Sequence, residues 1–147
     1  VFPQTIDLTK TEDLADETGK TVGNFSIGSD EICQENGKPI IYFFGSTSCP
    51  HCTWEKPIIQ EVVKKFGSLI SYHENIDVET DSDVFGKYST GGIPTFVFGC
   101  KYYRVGSGEG AGVEQETKDL TALACKLTGG KPGTVCDSLK DVVDGIQ

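Results

Sequence analysis

The chain has 147 residues, enough for one domain with a proper core, and its 37% hydrophobic and 24% charged residues are those of an ordinary globular protein. A net charge of -9 and a pI near 4.6 exclude a surface built chiefly for nucleic acid or anionic membrane, because a phosphate backbone is met by basic residues. No apolar run approaches the roughly 18–20 residues of a membrane span. The chain starts at Val1 and holds no Met, which points to removal of a start residue, either alone or together with a signal peptide or anchor.

Residues 1–37 are polar and rich in Gly and Asp, with a β-like segment at Thr5–Leu8 and a short helix predicted around Ser29–Asn36. They are expected to form an N-terminal extension packed on a domain spanning 38–127, with 128–147 as a C-terminal tail. From Lys38, "KPIIYFFGS" is a continuous apolar run bounded by Pro39 and Gly45, the pattern of a strand buried on both faces. "CPHCTWEKPIIQEVVKKFG" then carries Ile58, Ile59, Val62, Val63 and Phe66 on one helix face, with Gly67 as its stop and Pro57 inside it. "LISYHENID" is a further strand, and "SDVFGKYST" a short helix capped by Asp81 or Ser82.

"GGIPTFVFGCKYYRVG" reads as two short strands joined through Gly99 and Cys100. "GVEQETKDLTALACKLTGG" is a helix with Leu120, Leu123, Ala124 and Leu127 on one face, and "SLKDVVDGIQ" adds a last helical turn. The order β–α–β–α–β–β–α from Lys38 predicts an α/β fold, a central mixed sheet covered by helices on both faces.

Cysteine is the informative residue. Of the six, Cys33, Cys100, Cys125 and Cys136 are dispersed, which suits two structural disulfides in an oxidising compartment or in a hyperthermophile's cytosol. Buried thiols and a four-cysteine zinc site are the alternatives, although zinc knuckles usually come as paired CxxC motifs and this chain has one. Cys125–Cys136 is the expected pair, tying the last long helix to a Gly/Pro-rich tail, which leaves Cys33–Cys100. Four cysteines allow three connectivities, and a second redox pair among them is a further alternative.

Cys49 and Cys52 stand apart, because "CPHC" closes a buried strand and opens a helix. Unpaired backbone N–H groups and the positive helix end favour a thiolate on Cys49, and thiolate is the nucleophile of disulfide exchange. Cys52, one turn in, is placed to attack a mixed disulfide on Cys49. His51 between them adds a charge that favours the thiolate. A turn-stapling disulfide, and a Cu(I) or zinc site using Cys49, Cys52 and a histidine, are the competing readings.

Together with the CxxC, Pro57 eight residues past Cys49, "NID" at 75–77, "KYSTGGIPT" at 87–95 and "RVGS" at 104–107 resemble segments of the thioredoxin family in the same order. The resemblance covers about residues 38–127. It implies the thioredoxin fold, exchange of disulfides with protein substrates without cofactor or metal, and a redox partner that reoxidises or reduces the pair. It also implies that Ile93–Pro94 is a cis peptide facing the cysteines, with Ile93 and Pro94 binding substrate.

Three features depart from the family pattern. Ser48 stands where thioredoxins place Trp, and Trp54 is expected on the helix flank. Pro50 and His51 form the dipeptide of DsbA-type oxidants in a chain too short for the DsbA helical insertion. Phe43 takes the place of a buried acid, and His73, counted onto the neighbouring strand, becomes a candidate proton acceptor for Cys52, against an ordinary strand histidine. Stabilising the Cys49 thiolate favours the reduced form, so the expectation is an extracytoplasmic oxidase or isomerase, periplasmic, secreted or anchored outside the cytosol. A thioredoxin-like reductase, a Cu/Zn-binding thioredoxin-fold chaperone and an inert docking module are the alternatives.

Overall fold

The computed structural model describes residues 20–28 and 31–147, so the segment expected at Thr5–Leu8 lies outside the described residues. In chain order the strands are β1 (Ser26–Ile27), β2 (Gln34–Glu35), β3 (Lys38–Gly45), β4 (Ser71–Ile76), β5 (Thr95–Phe98) and β6 (Tyr102–Val105). The helices are α1 (Pro50–Phe66), α2 (Ser82–Tyr88), α3 (Val113–Thr128), α4 (Gly133–Cys136) and α5 (Lys140–Asp144). β3 is central: it runs parallel to β4 and antiparallel to β5, and β6 and then β1 extend the sheet antiparallel beyond β5. The sheet is therefore mixed, and helices cover both its faces.

Alternation along β3 builds two cores, because successive side chains point to opposite faces. Ile41 and Phe43 meet Ile58, Ile59, Val62 and Phe66 of α1 and Leu120 and Leu123 of α3. Ile40, Tyr42 and Phe44 meet Val97 and, from α2, Val84, Phe85 and Tyr88. Burying each such large side chain contributes about 1.5–3 kcal/mol. Trp54 packs against the first core from the flank of α1.

The predicted helix at Ser29–Asn36 is not formed in its described part; Gln34–Glu35 is a strand paired with Pro39 and Lys38. The reason is local: Asn36 and Gly37 both adopt positive φ, at 55° and 78°, which is the two-residue Asn-Gly hairpin turn. Residues ahead of Lys38 also enter the main core. Phe25 is 4% exposed, packed edge-on to Phe98 at 5.4 Å between ring centroids, and β1 follows it.

The four dispersed cysteines form two disulfides, Cys33–Cys100 and Cys125–Cys136, with Cα separations of 5.4 Å and 5.8 Å. The second ties α3 to α4 across 11 residues, next to the buried Val143 and Ile146 of the tail. Closing so short a loop restricts the unfolded chain by about 3 kcal/mol. Cys125→Ser with Cys136→Ser is therefore expected to lower stability by about that amount in urea unfolding. A loss under about 1 kcal/mol would mean that the tail is held by packing alone.

Candidate active site

β3 ends at Gly45, the chain crosses Ser46–Ser48, and Cys49 is the N-cap of α1 with Pro50 in the first turn. Pro50 suits that place because its missing N–H is one of those left unpaired at a helix start. Asp77 anchors the crossing: its carboxylate accepts from the Thr47 hydroxyl at 2.7 Å and from the Thr47 N–H at 3.3 Å. The Thr47 hydroxyl holds the Asp77 carboxyl below the usual range.

Cys49 and Cys52 are not bonded to each other. The Cys49 sulfur accepts the Cys52 backbone N–H at 3.2 Å and so caps the start of α1. It lies 4.0 Å from the carbonyl oxygen of Ile93, and the Ile93–Pro94 bond is cis. Cys52 is 2% exposed, and burial followed by its contact with Cys49 pushes its thiol up to about 11. Gly45 leaves room for it, since a Cβ there would sit 3.1 Å from the Cys52 sulfur and 3.3 Å from Ile76.

His73 is not at this site. The strand register sets it beside Tyr42, whose ring it meets edge-on at 5.1 Å, on the sheet face turned away from α1. Glu74, rather than His73, stands opposite Phe43. Both ring nitrogens of His73 are engaged at 2.9 Å, Nδ1 with Asp81 and Nε2 with Glu35. It is a structural strand histidine, because a one-residue difference along a strand changes the face.

Behind α1 lies a group of charges that the motif did not reveal. Glu55, fully buried, accepts from Arg104 at 3.0 Å and from the Gly108 N–H at 2.9 Å. Arg104, 6% exposed, also donates to both oxygens of the fully buried Glu116, at 2.5 and 3.1 Å. Its remaining N–H groups go to the carbonyls of Gly23 and Gly106, and its guanidinium stacks 4.7 Å over Phe25. One cation faces two buried carboxylates, so burial and then the neighbouring Glu116 push Glu55 up to about 8. Glu55 Oε2 has no hydrogen-bond partner among the described residues.

The signal for this triad was present in the sequence: Glu55 and Glu116 interrupt the apolar faces of their helices, and Arg104 shares strand parity with the buried Tyr102. Glu109 carried no such signal. It follows β6 in a loop, and its carboxylate is hydrogen-bonded to Nδ1 of His51 and to the Ser107 hydroxyl.

The thioredoxin profile matches residues 21–123 of this chain. The chain belongs to the thioredoxin family. It is 34% identical over 68 residues to thioredoxin Y, chloroplastic, of Oryza sativa subsp. japonica, covering 46% of this chain and 40% of that one. It is 33% identical over 64 residues to thioredoxin H5 of Arabidopsis thaliana, covering 44% and 52%. With thioredoxin H4 of Arabidopsis thaliana it shares 30% identity over 96 residues, covering 65% of this chain and 76% of that one. The chain thus spans about half or less of the first two relatives. The thioredoxin match also starts ahead of Lys38, taking in Phe25 and β1.

Proposed function

We propose that this thioredoxin-family chain is a thiol–disulfide oxidoreductase that exchanges disulfides with protein substrates through Cys49 and Cys52, running in the oxidising or isomerising direction. The observation that carries the reading is the capped sulfur of Cys49, half-exposed beside the Ile93 carbonyl, with buried Cys52 one turn behind it.

In the oxidising direction a substrate thiolate attacks Cys49 of the Cys49–Cys52 disulfide. A mixed disulfide forms at Cys49, and Cys52 leaves and takes up a proton. A second substrate thiolate then attacks the substrate sulfur of that bond and Cys49 leaves as thiolate. Two electrons pass from the substrate to the pair, and a redox partner must take them back. Cys52, held as a thiol by burial, is a slow nucleophile against the mixed disulfide, which leaves time for the second substrate thiol, while the same burial makes it the poorer leaving group in the first step. His51 at the cap favours the Cys49 leaving thiolate, and Phe43 puts no anion near it. The backbone of Ile93 and Pro94 would pair with the extended substrate chain, and Ile93 is exposed enough to meet it.

An extracytoplasmic site of action belongs to the same proposal, since two disulfides suit an oxidising compartment; a hyperthermophile's cytosol is the alternative. Among the described residues no helix is long and apolar enough to cross a membrane. The second reading is a reductase, favoured by kinship with proteins named thioredoxin. A Cu(I) or zinc carrier is a third. Among the described residues no group of three or more His, Cys, Asp or Glu is disposed to hold a metal, so a carrier would have only the cysteine pair.

The deciding experiment is equilibration of the pair with glutathione. The scale runs from about −120 mV for DsbA-type oxidants to about −270 mV for thioredoxin. The expected result lies above about −200 mV, and a value near −270 mV would reverse the direction.

A further inference from the structure

The Ser107–Glu109 loop is fixed from behind and grips the active-site histidine in front. From behind, the Gly108 N–H is bound by buried Glu55, and the Gly106 carbonyl by Arg104. Gly108 itself lies against Glu116: a Cβ there would be 1.9 Å from Glu116 Oε1, an oxygen already held by Arg104. The Glu55–Arg104–Glu116 triad therefore dictates where the loop runs. In front, Glu109 bonds to His51 Nδ1, while Ser107 donates to the same carboxylate oxygen at 2.8 Å.

We propose that Glu109 is a positioning residue for His51, mounted on the buried Glu55–Arg104–Glu116 triad through the Ser107–Glu109 loop, and that it sets how readily Cys49 forms its thiolate. The inference rests on the proposed exchange function, in which His51 acts on Cys49. Two effects of Glu109 oppose each other. Its charge disfavours a second anion on Cys49 directly, but it also favours the imidazolium and fixes Nδ1 as a donor, which supports the thiolate. The indirect route is the one the geometry offers Glu109: its carboxylate touches the ring of His51, two residues from Cys49 in the cap turn, whereas the sulfur's polar contacts among the described residues are with Cys52 and Ile93. The His51 contact is also the first cause that keeps the Glu109 carboxyl below its usual range, so the anion is present at neutral pH. Among the described residues the charged group in contact with His51 is Glu109, with Cys49 two residues before it at the cap and Glu55, Arg104 and Glu116 behind the loop.

The test is the rate of Cys49 alkylation by iodoacetamide against pH, in the reduced protein. Glu109→Gln keeps a hydrogen-bonding side chain but removes the charge, and is expected to slow alkylation at neutral pH by about three- to tenfold and to move the profile upward. Gly108→Ala, which dislodges the loop without changing any charge, is expected to do the same. In a His51→Ala background only the direct repulsion remains, so Glu109→Gln should leave alkylation unchanged or slightly faster, a result that a merely structural role would not give. An unchanged or faster Glu109→Gln, or the same slowing without His51, overturns the proposal. A wild-type profile no different from that of an unstructured peptide thiol would overturn the exchange reading itself, and the inference with it.

Discussion

Arg104→Met is expected to cost about 3–5 kcal/mol of folding stability at neutral pH, read as a lower urea midpoint. Among the described residues the guanidinium is the sole cation on the carboxylates of Glu55 and Glu116, both fully buried. Met has a comparable length and leaves the packing over Phe25 and Phe96 largely intact, so the loss is that of the charge and of the donors to Gly23 and Gly106. Adding Glu55→Gln and Glu116→Gln should recover most of it, because it is removing one partner of a buried ionic group that leaves a stranded charge. With Glu55 holding its proton at neutral pH, the stranded charge is that of Glu116, and a midpoint shift worth less than about 1 kcal/mol would mean that Glu116 is compensated without Arg104.

The pH dependence has a definite sign. Glu55 holds its proton up to about 8 in the folded protein, whereas in the unfolded chain it ionises in the ordinary carboxylate range. Between those limits the folded state binds the extra proton, so this group takes stability away as pH rises through the window and adds it back as pH falls. Glu55→Gln should flatten that slope, and an unaltered slope would assign the proton elsewhere.

The second large effect separates the two active-site cysteines. Cys49→Ser is expected to reduce disulfide exchange by about three orders of magnitude or more, since a hydroxyl at the cap cannot supply the thiolate nucleophile or leaving group. Cys52→Ser should keep the first step and stop at the mixed disulfide. Incubated with a disulfide substrate, it should accumulate a covalent adduct on Cys49 that dithiothreitol releases and mass mapping locates. An adduct on Cys52 in the Cys49→Ser protein, formed at the wild-type rate, would reverse the two roles. The exposures argue against that: Cys49 is partly accessible and Cys52 is 2% exposed.

The placement of Cys49 and Cys52 was legible in the sequence because it depends on short-range facts. A strand pattern running into CPHC, a 3.6-residue apolar repeat and a stop glycine are all local, and they put Cys49 at a helix start. The same local logic failed once through neglect of a turn signal: Asn36-Gly37 is a hairpin dipeptide, and it made strand where helix was expected. His73 failed for a different reason. Counting along a family pattern gave the strand correctly but not the pairing, and the register that sets Tyr42 beside His73 puts its ring on the far face.

What the sequence determined by itself was the mixed sheet and the helix that presents Cys49 and Cys52; for the other four cysteines it left three connectivities, of which the fold holds the expected Cys125–Cys136 and Cys33–Cys100. The tertiary structure alone decided which charges meet. Glu55, Arg104 and Glu116 come from three separate elements, and only closing α1 and α3 over β6 brings them within hydrogen-bonding range. Glu109 reaches His51 across 58 residues of chain, through a loop with no periodicity to announce it. Periodicity reports which face of an element is buried. It carries no information on the partner that a buried charge will find there, because that partner is fixed by contacts distant in sequence.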